Sequence, residues 1–167
     1  MGNGIAQMCA VSGLDVVLVD IADAALQKGM ATVSGSLDRL VKKEKMNAAD
    51  KAAALARIQT STDYAAFKGV QIVIEAATEN YELKLKILKQ VDAVVAPEVI
   101  LASNTSSISI TQLAAATSRA DKFIGMHFFN PVPLMALVEL IRGLQTSDAT
   151  HTEVKALAEK LGKTPIT

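Results

Sequence analysis

Val16-Val17-Leu18-Val19-Asp20 is a continuous apolar run, mostly β-branched, closed by an acid. A run without alternation reads as a strand buried on both faces, as in a parallel sheet. Just before it, Ile5, Met8 and Cys9 recur at the i, i+3, i+4 spacing of an amphipathic helix, and Ser12-Gly13 ends that helix. After it, residues 22–45 read as a long helix that turns basic at Lys42-Lys43-Glu44-Lys45. Asn47 to Asp50 interrupts, and Ala52 to Ile58 resumes with helix-forming composition. Ile58–Ser61 is a short strand candidate, and Asp63 can cap a turn over Tyr64–Phe67 that Gly69 breaks.

The same alternation continues to the end. Gln71–Ala77 reads as a buried strand and Tyr81–Val95 as a helix whose face is marked by Leu85, Leu88 and Val91. Strands follow at Ile100–Ser103, Phe123–His127 and Leu137–Ile141, with helices at Ile108–Ala116 and Thr150–Lys160. Thr164–Thr167 looks like the start of another element. Strand and helix in alternation, with no repeat and no low-complexity linker, call for an α/β fold with a doubly wound, mostly parallel sheet. In such sheets ligands sit outside the carboxyl ends of the strands. Asp20, Glu75 to Glu79, Ser103 to Ser107 and His127 all follow strand ends, so the rule assigns them to one crevice.

Bulk composition narrows the partners. Of 167 residues half are apolar, and Lys+Arg and Asp+Glu balance at 17 each. The balance leaves no basic footprint for nucleic acid. No apolar run is long enough to span a membrane, so neither nucleic acid nor membrane is expected as a partner. The single cysteine, Cys9, permits no internal disulfide and is expected in core packing in a cytoplasmic protein. No Cys/His cluster suggests a metal.

Two stretches carry candidate chemistry. In Phe123-Ile124-Gly125-Met126-His127-Phe128-Phe129-Asn130-Pro131-Val132-Pro133, one of the chain's two histidines ends an apolar strand beside two aromatics. Histidine changes charge near neutral pH, which makes His127 a candidate acid or base. His151, beside Thr150 and Thr152, is expected to be exposed. At the chain start, Gly2-Asn3-Gly4 opens a helix and Asp20 closes the next strand. That spacing fits the tail of a dinucleotide fingerprint, with Gly2 as its third glycine and Asp20 accepting from the ribose hydroxyls of NAD. Asp20 also suits an N-terminal cap on the following helix. A serine hydrolase built on Ser106 and His127 would need a G-x-S-x-G elbow, which the chain lacks.

Together, Gly2-Asn3-Gly4-Ile5-Ala6-Gln7, the strand ending in Asp20, Ala77-Thr78-Glu79-Asn80, Ser103-Asn104-Thr105-Ser106-Ser107 and Gly125 to Pro133 resemble the 3-hydroxyacyl-CoA dehydrogenases. The short-chain bacterial 3-hydroxybutyryl-CoA dehydrogenases are the nearest group, and the resemblance runs through essentially the whole chain. It implies a Rossmann-like domain and NAD-dependent interconversion of an (S)-3-hydroxyacyl-CoA and its 3-ketoacyl-CoA in fatty-acid or butyrate metabolism. It implies His127 as catalytic base, Glu139 as the carboxylate paired with it, and Ser106 as the donor to the substrate oxygen. By the same resemblance Gly2, Asp20, Glu79, Lys84 and Asn130 contact the cofactor, and Ser36 and Lys43 contact coenzyme A.

Against the family pattern, the chain is expected to lack the first strand with its leading glycines and the C-terminal helical domain. Residues 1–167 would then be a partial NAD-binding domain of a parent enzyme that is a homodimer through the missing domain. The competing expectation is a truncated, inactive nucleotide-binding or structural protein of the same fold.

Overall fold

A computed structural model describes all residues, Met1 to Thr167. The chain divides into two compact units: residues 1–66 with 131–133, and residues 67–130 with 134–167.

In the first unit the order is α1 (Gly2–Val11), β1 (Val16–Val19), α2 (Asp23–Lys42), α3 (Ala48–Ala56) and β2 (Ile58–Ser61). The Asn47 side chain explains why α3 starts earlier than composition suggests. Its carbonyl oxygen accepts the Asp50 N–H at 2.7 Å, an N-terminal cap. β1 and β2 pair in parallel, Val16 opposite Ile58 and Val19 opposite Ser61. Ala6, Ala10, Val33, Leu37, Ala54 and Ile58 form the core of this unit, with Val16 and Leu18 packed against it. The expected burial of β1 on both faces is not seen; all four of its residues are half-buried. β2 is its one ladder partner and is itself a strand with two exposed residues, Gln59 and Thr60. The apolar run therefore marks a strand correctly but overstates how much covers it.

In the second unit the order is β3 (Ile72–Glu75), α4 (Tyr81–Val94), β4 (Ile100–Ser103), α5 (Ile110–Ala115), β5 (Phe123–Phe128), β6 (Leu137–Arg142), α6 (Asp148–Lys160) and β7 (Thr164–Ile166). The sheet order is β3-β4-β5-β6-β7, so the ladders form two sheets rather than the single one that alternation suggests. β3, β4 and β5 run parallel; β6 is antiparallel to β5, and β7 parallel to β6. Residues 129–136 are too few for the crossover of a dozen or more residues that a parallel neighbour needs, so β6 returns beside β5 in the opposite sense. β4 is buried along its whole length, and β5 is buried except at His127. Burial of Leu101, Phe123, Ile124 and Phe128 contributes about 1.5–3 kcal/mol per side chain.

Two details correct the expected pattern. On α4 the buried face is Lys84, Leu88 and Val91, and Leu85 is only half-buried. His151 is half-buried, with Nε2 at 3.0 Å from the Thr167 hydroxyl.

Candidate active site

The parallel strands of the second unit end together. Glu75 is in register with Ser103, and Ser103 with Gly125, so the turns after β3, β4 and β5 share one edge. The Asn104 side chain ties two of these turns, accepting the Phe128 N–H at 2.7 Å.

Antiparallel register brings His127 opposite Glu139 on β6. The imidazole Nδ1 lies 3.3 Å from Glu139 Oε1. A carboxylate only accepts, so Nδ1 carries the hydrogen in the neutral ring and Nε2 presents its lone pair. The His127 side chain is 17% exposed and that of Glu139 45% exposed, so the pair is reachable. The Phe129 ring packs against the imidazole at 4.6 Å between centroids, tilted by 58°.

The turn after β4 wraps around one carboxylate. Glu79 Oε2 accepts from the Thr105 hydroxyl at 2.8 Å, the Ser107 hydroxyl at 2.8 Å and the Ser106 N–H at 3.2 Å. The Ser106 hydroxyl is held more loosely, at 3.4 Å. Glu79 Oε1 lies 3.4 Å from the Lys84 ammonium. Partial burial opposes ionisation of Glu79. The bonds from Thr105, Ser107 and Ser106 and the Lys84 charge outweigh it, pulling the carboxyl pKa down to about 2.

Beneath this turn lies a buried network that sequence reasoning missed. Glu75 is 5% exposed, and Ser103 and Lys84 are fully buried. Glu75 Oε1 accepts from the Ser103 hydroxyl at 2.6 Å, and Oε2 from the Ala77 N–H at 2.7 Å and Lys84 Nζ at 2.8 Å. Lys84 Nζ also donates to the Ala77 carbonyl at 3.0 Å. Lys84 Nζ is thus held among protein oxygens. An acid ending an apolar run, Ile72-Val73-Ile74-Glu75, was the available signal. Asn130 is exposed, three residues past His127.

The remaining candidates belong to the first unit. Gly2 opens α1, whose N-terminus has no side-chain cap and no acid in its first turn, a setting that suits an anion. Two residues on, a Cβ at Gly4 would sit 3.0 Å from the Val132 Cβ, so a side chain there would press on Val132. Asp20 is exposed at the end of β1, with Oδ1 accepting the Ala22 N–H at 3.0 Å. The α2 N-cap is Ala22, so Asp20 shapes the approach to that helix without capping it. Ser36 is half-buried on α2, its hydroxyl accepting from the buried Gln7 amide at 2.9 Å. Lys43 is exposed at the α2 C-terminus. Cys9 is half-buried, and burial pushes its thiol pKa up to about 11.

Comparison with known proteins gives the family. The family "3-hydroxyacyl-CoA dehydrogenase, NAD binding domain" matches residues 1–167. A 3-hydroxybutyryl-CoA dehydrogenase of Bradyrhizobium diazoefficiens is 52% identical over 163 residues, 98% of this chain and 56% of that protein. A fatty acid oxidation complex subunit alpha of Acinetobacter baylyi is 47% identical over 99% of this chain and 23% of its own length. The crystal structure of (S)-3-hydroxybutyryl-CoA dehydrogenase from Ralstonia eutropha superposes with a TM-score of 0.99 at 74% identity, covering 100% of this chain and 59% of that one. The chain thus spans a little over half the length of the dehydrogenases it matches. With its α/β architecture and mostly parallel strand pairing, the chain belongs to the NAD-binding domain family of the 3-hydroxyacyl-CoA dehydrogenases.

Proposed function

We propose that the protein carrying this chain interconverts a short-chain (S)-3-hydroxyacyl-CoA and its 3-ketoacyl-CoA with NAD. The observation that carries this reading is the cross-strand His127–Glu139 pair, on the same sheet edge as the serine-rich turn after β4. The residues present fit the cofactor: an uncapped helix N-terminus at Gly2 suits a pyrophosphate, and the exposed Asp20 carboxylate suits a ribose diol. When bound, the nicotinamide ring supplies the acceptor for hydride from the 3-carbon.

The protein's own part is proton handling and orientation. His127 Nε2 takes the proton of the 3-hydroxyl in the oxidising direction and returns it in the reducing direction. Glu139, accepting from Nδ1, holds the ring in the tautomer that leaves Nε2 basic and stabilises the imidazolium formed. The Ser106 hydroxyl, the loosest of those around Glu79, is free to turn to the substrate oxygen while its backbone stays fixed. Glu79 and Asn130 belong to the cofactor side of this reading, and Ser36 and Lys43 to coenzyme A. A homodimer and a cytoplasmic setting are part of the same proposal.

The test is oxidation of NADH with acetoacetyl-CoA by the protein as its gene encodes it. His127→Gln is expected to lower kcat by about 10²–10⁴-fold, the usual worth of a general acid–base group, with circular dichroism unchanged. Wild-type turnover in that variant removes His127 from the reaction.

A further inference from the structure

We propose that Gly125 and Gly143 are positioning residues for the dehydrogenase reaction read above, on which this step rests. Together they form a bare seat on the sheet for Ile110, and that seat sets how close the Ser106 turn stands to His127. Side chains of a strand alternate between faces, so Gly125 and His127 share one face of β5. On that face a Cβ at Gly125 would meet Ile110 Cδ1 and Cγ1 at 3.0 Å and the Ile141 Cβ at 2.9 Å. Gly143, just past the end of β6, is the other half of the seat. A Cβ there would lie 3.3 Å from Ile110 Cγ2 and from the backbone nitrogen and the hydroxyl oxygen of Thr111. Neither glycine has a positive φ, so what both positions demand is space and not a special backbone conformation.

Ile110 opens α5 and is buried. Beside it the Thr111 hydroxyl accepts the Leu144 N–H at 3.0 Å. The first turn of α5 is therefore pinned to the sheet by packing on two glycines and by one hydrogen bond. At its other end the serine-rich turn leaves β4 at Ser103, which is in register with Gly125. Ser106 lies between these two anchors, and both of them are set against β5 at Gly125. His127 is two residues further along the same face. A methyl group at Gly125 has no room unless α5 or Ile141 moves, because a close-packed interior relaxes only in part. Moving α5 moves the turn that carries Ser106, and a shift of about 1 Å between reacting groups can cost about 10²-fold in rate.

The test uses the protein as its gene encodes it, with NADH and acetoacetyl-CoA, well below the melting temperature of each variant. Gly125→Ala is expected to lower kcat about tenfold or more. The KM for acetoacetyl-CoA and the NADH Kd, read by fluorescence, should each stay within about threefold, since neither glycine offers a side chain to a ligand. Gly143→Ala pushes on the same helix more gently and should lower kcat about threefold. A wild-type kcat in either variant overturns the proposal, because the glycines then serve only packing. A loss carried by KM alone also overturns it, because they then shape binding and not the placement of the reacting groups.

Relief of the clash tests the route through α5. Ile110→Ala removes both atoms that a Gly125 methyl would meet on that helix. Gly125→Ala/Ile110→Ala should therefore turn over about threefold or more faster than Gly125→Ala, the non-additivity that residues in contact show. A double variant no faster than Gly125→Ala overturns the proposal, because the methyl then acts through Ile141 on β6. Should Gly125→Ala give no folded protein, Gly143→Ala decides by the same measure of kcat. Absence of turnover in the wild-type protein overturns the dehydrogenase reading and this inference together. A His127-dependent enzyme indifferent to both glycines overturns this inference alone.

Discussion

The two units hold their charged candidate residues differently. In the second, the strand-end groups form a closed network: Ser103, Glu75, Lys84 and Glu79 are linked one to the next, and the first three are buried. In the first, Asp20 and Lys43 stand exposed, each on the end of an element. A closed network fixes geometry, but it makes every member structural as well. An open residue is free to meet a ligand and contributes little to folding. Changes in the second unit should therefore be felt in stability and orientation together, and changes in the first mainly in binding.

The largest effect should come from opening the network at its centre. Glu75→Ala leaves the Lys84 ammonium and the Ser103 hydroxyl buried without their acceptor. Breaking one side of a buried pair costs about 3–5 kcal/mol. Urea unfolding should show that loss as a lower midpoint at unchanged slope. A loss below about 1 kcal/mol would mean that water reaches Lys84 and that the network is not closed.

At the rim of the network the effect depends on pH. The Glu79 carboxyl is held at about 2, below its value in an unfolded chain. A depressed carboxylate contributes stability that is fully present above the unfolded pKa. That contribution fades as pH falls through the window between the ordinary carboxylate value and about 2. Melting temperatures of wild type and Glu79→Gln should therefore differ at neutral pH and converge in acid. A constant difference across that range would take the ionised carboxylate out of the account. Glu79 is exposed, so solvent screening makes this smaller than the Glu75 effect.

What was legible in the chain follows the same division. β1, β3, β4, β5 and β6 are marked by apolar runs and several helices by spacing, whereas the caps at Asn47 and Ser109 emerge only from the structure. The exposed candidates were legible because their residue types advertise chemistry: a histidine ending a strand, an acid ending another. The burial of Lys84, named only by family resemblance, was not, since a lysine among Glu82, Lys86 and Lys89 reads as solvated surface. Its burial depends on Glu75 and Ser103 meeting across a ladder, and register between separate strands is invisible to periodicity. Arg119 was missed for the same reason. Buried near the end of α4, it donates to the Asp92, Val95, Ala96 and Val99 carbonyls, a cap supplied from a distant part of the chain. The loss of cover over β1 was equally hidden, because an apolar run states what a strand tolerates and not what packs on it.

In the first unit, Asp20→Asn probes the open side of the comparison. The amide oxygen can keep the bond to the Ala22 N–H, so unfolding free energy should change by no more than about 0.5 kcal/mol. On the proposed reading of Asp20, what is lost is the charge that would repel a 2′-phosphate. The preference for NADH over NADPH, measured as a ratio of Kd values, should fall by about tenfold. A large loss of stability with an unchanged ratio would place Asp20 among the structural residues and erase the contrast between the units.

The smallest effect expected is a gain, at the basic end of α2. The helix closes with the Glu44 N–H on the Val41 carbonyl and the Lys45 N–H on the Leu40 carbonyl, the double bond pattern of a left-handed C-terminal cap. α1 closes in the same way, with Gly13 at φ +89°. At α2 the left-handed residue is Glu44, at φ +60°. A side chain in that region costs about 1 kcal/mol that glycine avoids, although glycine loses more freedom on folding. Glu44→Gly should thus raise stability by about 0.5–1 kcal/mol in urea unfolding. It also removes the one acid among Lys42, Lys43 and Lys45, so any affinity of this end for the phosphates of coenzyme A should rise rather than fall. A glycine variant less stable than wild type would show that the Glu44 side chain offsets its own strain. Glu44 would then join the buried Gln7, bonded to Ser36, as a tightly held polar residue of the first unit.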